Sequence, residues 1–173
     1  MNDATNTGAA GDIVAQDGED ALEYGILNEF VGMHLRIAYE RAYADFVERL
    51  GDDALRPGYF TILTLVVNNP GISQTQIGRA AGRDKSSITK ALRWMEEAGL
   101  ISRVRPDTDR RTHLSQATRK GVDLQARMEI RARQHLTALN DLIGADHREE
   151  LISTLKRIGQ FSDLDRPALD EAD

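Results

Sequence analysis

The chain has 173 residues, 40% hydrophobic and 29% charged, which suits one hydrophobic core and excludes a wholly disordered or membrane-embedded protein. There are no cysteines, so disulfides, thiolate zinc sites, cysteine nucleophiles and thiol redox sensing are excluded together. The net charge of −6 argues against a polyanionic partner only until it is mapped along the chain.

Residues 1–19 are rich in Asn, Asp, Gly, Ala and Thr without a hydrophobic period, and are expected to form a disordered acidic tail. They lack the basic and apolar regions of a signal peptide, so a cytoplasmic protein is expected. Asp20 with Glu23 has the form of a helix start, and Leu27, Phe30, Val31, His34, Ala38 and Ala42 recur at helical spacing. One long helix to about Gly51 is predicted. Pro57 is expected to open a second helix with Phe60, Leu63 and Val67 buried, stopped by Asn69-Pro70-Gly71. Ser73 and Gln76 form a capping box for a short third helix through Ala81. After a Gly82-Arg83 turn, Asp84 can cap a fourth helix to Ala98 that buries Ile88, Ala91, Leu92 and Met95, with Gly99 at its end.

Leu100–Arg105 and Arg111–Ala117 read as two strands of a hairpin turning at Pro106–Asp109. Thr118 can cap a fifth helix of about twenty residues with Val122, Ala126, Ala132, Leu136 and Leu139 inside. After Gly144, Asp146 and Glu149 suggest a further cap. The last helix carries Leu151, Ile152, Leu155 and Ile158, extended by Phe161. Residues 162–173 again read as a disordered tail. The fold class is therefore mainly α with a small β-hairpin.

Between Met1 and Tyr24 there are six acids and no Lys or Arg; between Pro57 and Gly121 there are eleven bases against five acids, a net +6. That basic stretch holds two short helices joined by a glycine turn, a helix-turn-helix, whose second helix is the one that enters a DNA major groove. Such a helix must bury one face and offer compact hydrogen-bonding and cationic groups on the other. Ser73, Gln74, Arg83, Lys85, Ser86, Ser87, Thr89, Lys90 and Arg93 are the candidates. Taken alone, this could be any amphipathic helix with a solvated polar face. The adjoining hairpin tip, with Asp109, Arg110 and Arg111, shifts the balance toward a DNA-contacting wing, Asp109 and Arg111 pairing to stiffen it.

The Asp109-Arg110-Arg111 tip followed by Thr118 and Gly121 resembles the wing signature of the MarR family of transcriptional regulators. Ala117 stands where that pattern has leucine. Asp84-Lys-Ser-Ser-Ile-Thr-Lys-Ala-Leu, continued by Glu96-Glu-Ala-Gly-Leu, is similar to the family's recognition helix. The resemblance spans about Leu22–Phe161. It implies a winged helix-turn-helix (57–117) flanked by an N-terminal dimerisation helix (20–56) and C-terminal dimerisation helices (118–161). It also implies a homodimer on a pseudo-palindromic site in double-stranded DNA, repressing a gene until a small effector relieves it.

For that effector, His34, Arg36, Tyr39, Arg41, Tyr43, Tyr59 and Trp94 offer rings to stack and cations to hold an acid, and an aromatic acid or its coenzyme A thioester fits them. Each of these residues alone is more simply read as core, interface or solvated surface. No cofactor, metal site or membrane partner is expected. Gly78–Ser86 has the wrong spacing for a phosphate loop, and no nucleophile or acid–base set converges, so an enzyme is disfavoured. A constitutive DNA-binding regulator and a winged-helix protein-interaction module remain open as alternatives.

Overall fold

The computed structural model describes residues 22–104 and 113–160. The expected tails, the turn at Pro106–Asp109, and Arg105, Asp109, Arg110, Arg111 and Phe161 lie outside the described residues. The chain divides into two compact units, residues 1–38 and 39–173.

In the first unit, Gly25–Asn28 forms a 3-10 turn, and helix α1 (Val31–Leu50) begins only after it. This corrects the expectation of one continuous helix from Asp20. Gly25 sits at φ +52°, in the left-handed region that a right-handed helix cannot contain. His34 Nε2 lies 2.8 Å from the carbonyl oxygen of Asn28.

In the second unit, α1 ends in a 3-10 turn at Gly51–Asp53. Helix α2 (Tyr59–Asn68) follows, capped by Gly58 at φ +78° rather than opened by Pro57, which falls in the preceding turn. Its buried residues are Tyr59, Ile62, Leu63 and Val66, with Phe60 and Val67 only half-buried. The segment is almost continuously apolar, so its period could not be phased from sequence. Ile72–Ser73 forms a short strand, β1, that the sequence reading missed.

Helix α3 (Gln74–Ala81) starts from a complete capping box: the Gln76 amide donates to Ser73 Oγ, and the Ser73 amide donates to Gln76 Oε1 at 3.0 Å. Helix α4 (Lys85–Glu97) is capped by Asp84, and buries Ile88, Ala91, Leu92 and Met95 as expected. Strands β2 (Ile101–Val104) and β3 (Leu114–Ala117) complete an antiparallel sheet of order β1-β3-β2. Ala117 pairs with Ile101 and packs, partly buried, on the core.

Helix α5 (Arg119–Ile143) runs 25 residues from a Thr118 cap. The residues it buries are Gly121, Gln125 and Met128, not the expected apolar series; Val122 and Leu136 are exposed. Helix α6 (Ala145–Gly159) starts at Gly144 with no side-chain cap, contrary to the expectation for Asp146 and Glu149. No described residue of α6 is buried within the single chain. None of the described helices is long and apolar enough to cross a membrane.

The core of the second unit gathers Ile62, Leu63, Val66, Ile77, Ile88, Leu92, Met95 and Leu100, all nearly inaccessible. It locks α2, α3, α4 and the start of β2 together, and so fixes which face of α4 turns outward. The start of α5 clamps the end of α4 from below. Thr118 Oγ1 donates to Gly99 O at 2.7 Å, and Lys120 Nζ to Ala98 O at 2.8 Å. Gly121 packs so closely that a Cβ there would land on the carbonyl oxygen of Leu100. These contacts explain in physical terms why the Thr118–Gly121 spacing accompanies the hairpin.

Candidate nucleic-acid interface and effector cavity

Helix α4 turns Lys85, Ser86, Thr89, Lys90 and Arg93 outward, over a floor of buried Ile88, Ala91 and Leu92. Asp84 organises its first turn. Its carboxylate accepts from Ser86 Oγ (2.7 Å), Ser87 Oγ (2.6 Å) and the Ser87 amide (2.9 Å). The Ser87 hydroxyl first, then Ser86, holds the Asp84 carboxyl well below the usual carboxylate range. Asp84 is thus a permanent anion whose charge is answered by hydroxyls and the helix N-terminus, leaving the cations beside it unspent.

Gln74, from the start of α3, reaches across to α4. Its Nε2 donates to Thr89 Oγ1 at 2.7 Å, and the Thr89 hydroxyl donates to Lys85 O at 2.7 Å. Beside this bridge lies an open groove of about 460 Å³ walled by Ser73, Gln74, Thr75, Gly78, Arg79, Arg83, Lys85 and His113. Ser73, Gln74, Arg83 and Lys85 therefore share one groove, Ser86, Ser87, Thr89, Lys90 and Arg93 continue along α4, and Asp109, Arg110 and Arg111 lie outside the described residues. Among the described residues no carboxylate pairs with Arg79, Arg83, Lys85 or Lys90. Arg93 is held by Glu97 at 2.8 Å, an exposed pair that a phosphate can readily replace. Sequence reasoning missed Thr75, Arg79 and His113. Arg79 could have been found, because it lies four residues beyond Thr75 on the same turn-facing side of α3.

A second, smaller cavity of about 140 Å³ lies among α1, α2 and α5, walled by Tyr39, Tyr43, Phe46, Leu50, Leu55, Arg56, Gly58, Phe60, Thr61 and Met128. Tyr39 and Tyr43 stack with centroids 6.0 Å apart, and Phe46 meets Phe60 edge-on at 5.3 Å. Burial pushes the Tyr43 phenol up, with Tyr39 adding to the shift. Arg56 is the cation among the residues of this wall.

Of the predicted effector residues, Tyr39 and Tyr43 line the cavity and Arg41 does not. Tyr59 and Trp94 lie against each other instead, centroids 5.3 Å apart, with Tyr59 in the core. His34 and Arg36 belong to the first unit. The sequence reading missed Arg56 and Gly58, because a polar Arg-Pro-Gly turn carries no periodic signal.

The α3–turn–α4 pair, backed by an antiparallel sheet and clamped by α5, defines a winged helix-turn-helix protein. A model of the MarR family matches residues 55–113. The proposed transcriptional regulatory protein for the hcr operon of Thauera aromatica is 32% identical over 148 residues, 85% of this chain and 89% of that protein. The transcriptional repressor CouR, solved bound to a 23-mer DNA duplex, is 34% identical with a TM-score of 0.74, over 82% of this chain and 100% of that one. The same repressor bound to p-coumaroyl-CoA is 31% identical with a TM-score of 0.73, over the same shares of the two chains. The chain belongs to the MarR family of transcriptional regulators, and these relatives are regulators, not enzymes.

Proposed function

We propose that this protein is a cytoplasmic homodimeric repressor that binds a pseudo-palindromic operator and is released by an aromatic acid or, better, its coenzyme A thioester. The observation that carries the DNA reading is the groove and helix face just described. Cations without carboxylate partners flank a short polar ladder, on a helix whose other face is locked into the core. Lys85, Lys90 and Arg83 suit phosphates, and Arg93 reaches base edges or phosphate; Ser86 and Thr89 let the backbone approach closely. Arg110 and Arg111 would extend the contact from the wing. The similarity to a repressor bound to DNA supports the same reading.

The effector reading rests on size and lining. An apolar cavity of ~150 Å³ suffices for one benzene ring. The Tyr39–Met128 cavity, about 140 Å³ and walled by aromatic rings, matches a single ring and no more. A drug-sized ligand needs roughly 300 Å³ or above. The ring of an aromatic acyl group would therefore sit inside, and the rest of a thioester would pass out by Arg56. Similarity to a repressor bound to p-coumaroyl-CoA favours that class.

The test is fluorescence anisotropy on the DNA upstream of the protein's own gene, at two salt concentrations, with p-coumaroyl-CoA and free p-coumarate added afterwards. Tight binding that weakens with salt and is reversed by the thioester is expected. No binding at low salt would sink the DNA reading. Binding that neither compound reverses would remove the aromatic effector.

A further inference from the structure

The turn from Leu55 to Tyr59 touches three parts of the second unit at once. Leu55, Arg56 and Gly58 wall the aromatic cavity. The Arg83 guanidinium lies flat on Gly58: a Cβ there would be 2.8 Å from Cζ and Nη2 and 3.0 Å from Nε. Arg83 is in turn a wall of the basic groove, in the three-residue joint between α3 and α4. On the other side of the turn, Arg56 Cζ lies 5.8 Å from the Trp94 ring centroid, and the Tyr59 ring lies 5.3 Å from it. Trp94 belongs to α4.

We infer that this turn is the link through which filling of the cavity reaches α4, with Arg56 and Arg83 as its two positioning residues. The inference rests on the effector reading of the cavity. It has a mechanical basis. Gly58 sits at φ +78°, a shape open to glycine and strained for other residues, and its missing side chain lets the Arg83 guanidinium come up against the turn. The Arg83 guanidinium that lies against this turn also walls the basic groove, so a shift of the turn displaces that side chain from its place in the groove. A ring entering beside Arg56 and Gly58 pushes on both contacts. One ends at the joint before α4 and the other within α4, so the helix is turned relative to its groove.

The absence of cysteine allows the link to be tested without a known ligand. Thr61 is exposed on the cavity wall, so Thr61→Cys offers a single thiol there. Benzyl methanethiosulfonate would attach a benzylthio group as a mixed disulfide, releasing methanesulfinate, and dithiothreitol would remove it. Two readouts follow. Trp94, the sole tryptophan, reports on α4 by its emission, and anisotropy reports DNA affinity. Labelling is expected to shift Trp94 emission and weaken DNA binding by about tenfold or more, both reversed by dithiothreitol.

In a Thr61→Cys chain also carrying Arg56→Gln and Arg83→Gln, the ratio of labelled to unlabelled affinity should shrink to about twofold. The ratio is taken within each variant, so the direct loss from Arg83→Gln cancels. Unchanged Trp94 emission on labelling, or an undiminished ratio in the triple variant, overturns the link. If the label transmits but p-coumaroyl-CoA does not bind, the link stands and the effector class falls.

Discussion

Asp45 shows how one side chain joins two helices. Its carboxylate accepts from Arg49 on its own helix at 2.8 Å and meets His135 Nδ1 from α5, whose ring also packs on Phe46. The Arg49 hydrogen bond first, then His135, lowers the Asp45 pKa from 3.8 to about 2. A carboxyl depressed in the folded state stabilises fully above its unfolded value, and that contribution disappears as pH falls through the folded one. The melting temperature should therefore drop on acidification from about pH 4 to pH 2, and Asp45→Asn should flatten that slope. An unaltered slope in thermal melts of the variant would mean the pair contributes nothing. Gly121 offers a sharper case. Because a Cβ there meets a backbone carbonyl, Gly121→Ala should cost about 1–3 kcal/mol or more, read as a lowered urea midpoint. A variant as stable as the parent would show that α5 can slide off β2 freely.

At the scale of elements, the helix-turn-helix was almost wholly legible. Its caps are local devices: Ser73 with Gln76, Asp84 with Ser87, and Thr118 with Gly121 each satisfy orphan amides within three residues. The buried stripe of α4 was legible because polar and apolar residues alternate clearly there. What failed had long-range or absent signals. The apolar run of α2 gave no phase, and β1 is two residues whose strand character comes from pairing with β3, far off in sequence. On α5 Val122, Ala126 and Leu136 of the expected interior are exposed and Ala132 and Leu139 only half-buried, because periodicity reveals an apolar face without saying what covers it. The cavity was half visible: tyrosines stood out, whereas Arg56 and Gly58 matter only through contacts made across the fold. Replacing Lys90 and Arg93 with glutamate is expected to abolish DNA binding while leaving the circular dichroism melt nearly unchanged, since both side chains are exposed. Undiminished affinity would remove α4 as the reading helix.

For the molecule as a whole, the unspent feature is apolar surface. Leu151, Ile152, Leu155 and Ile158 line α6, each 36–42% exposed, and Leu142 at the end of α5 is 82% exposed. A single chain that leaves such a face to water is short of a partner, and a second copy is the partner the proposed dimer supplies. Leu151→Lys with Leu155→Lys should halve the mass seen by sedimentation and weaken operator binding together, because two half-sites are then no longer joined. A variant that keeps the parent's mass would place the interface elsewhere.

The Gln74–Thr89–Lys85 ladder has one more consequence. In the free protein these polar groups already satisfy one another, at 2.7 Å for each of the two links. DNA cannot simply add hydrogen bonds there; it has to exchange them. A base edge that offers matching donors and acceptors returns what is broken, and any other sequence leaves the ladder closed or the groups stranded. On the proposed reading, the interlock acts as a toll on mismatched sites: the cations draw the protein to any duplex, and only the right bases are worth opening the ladder for.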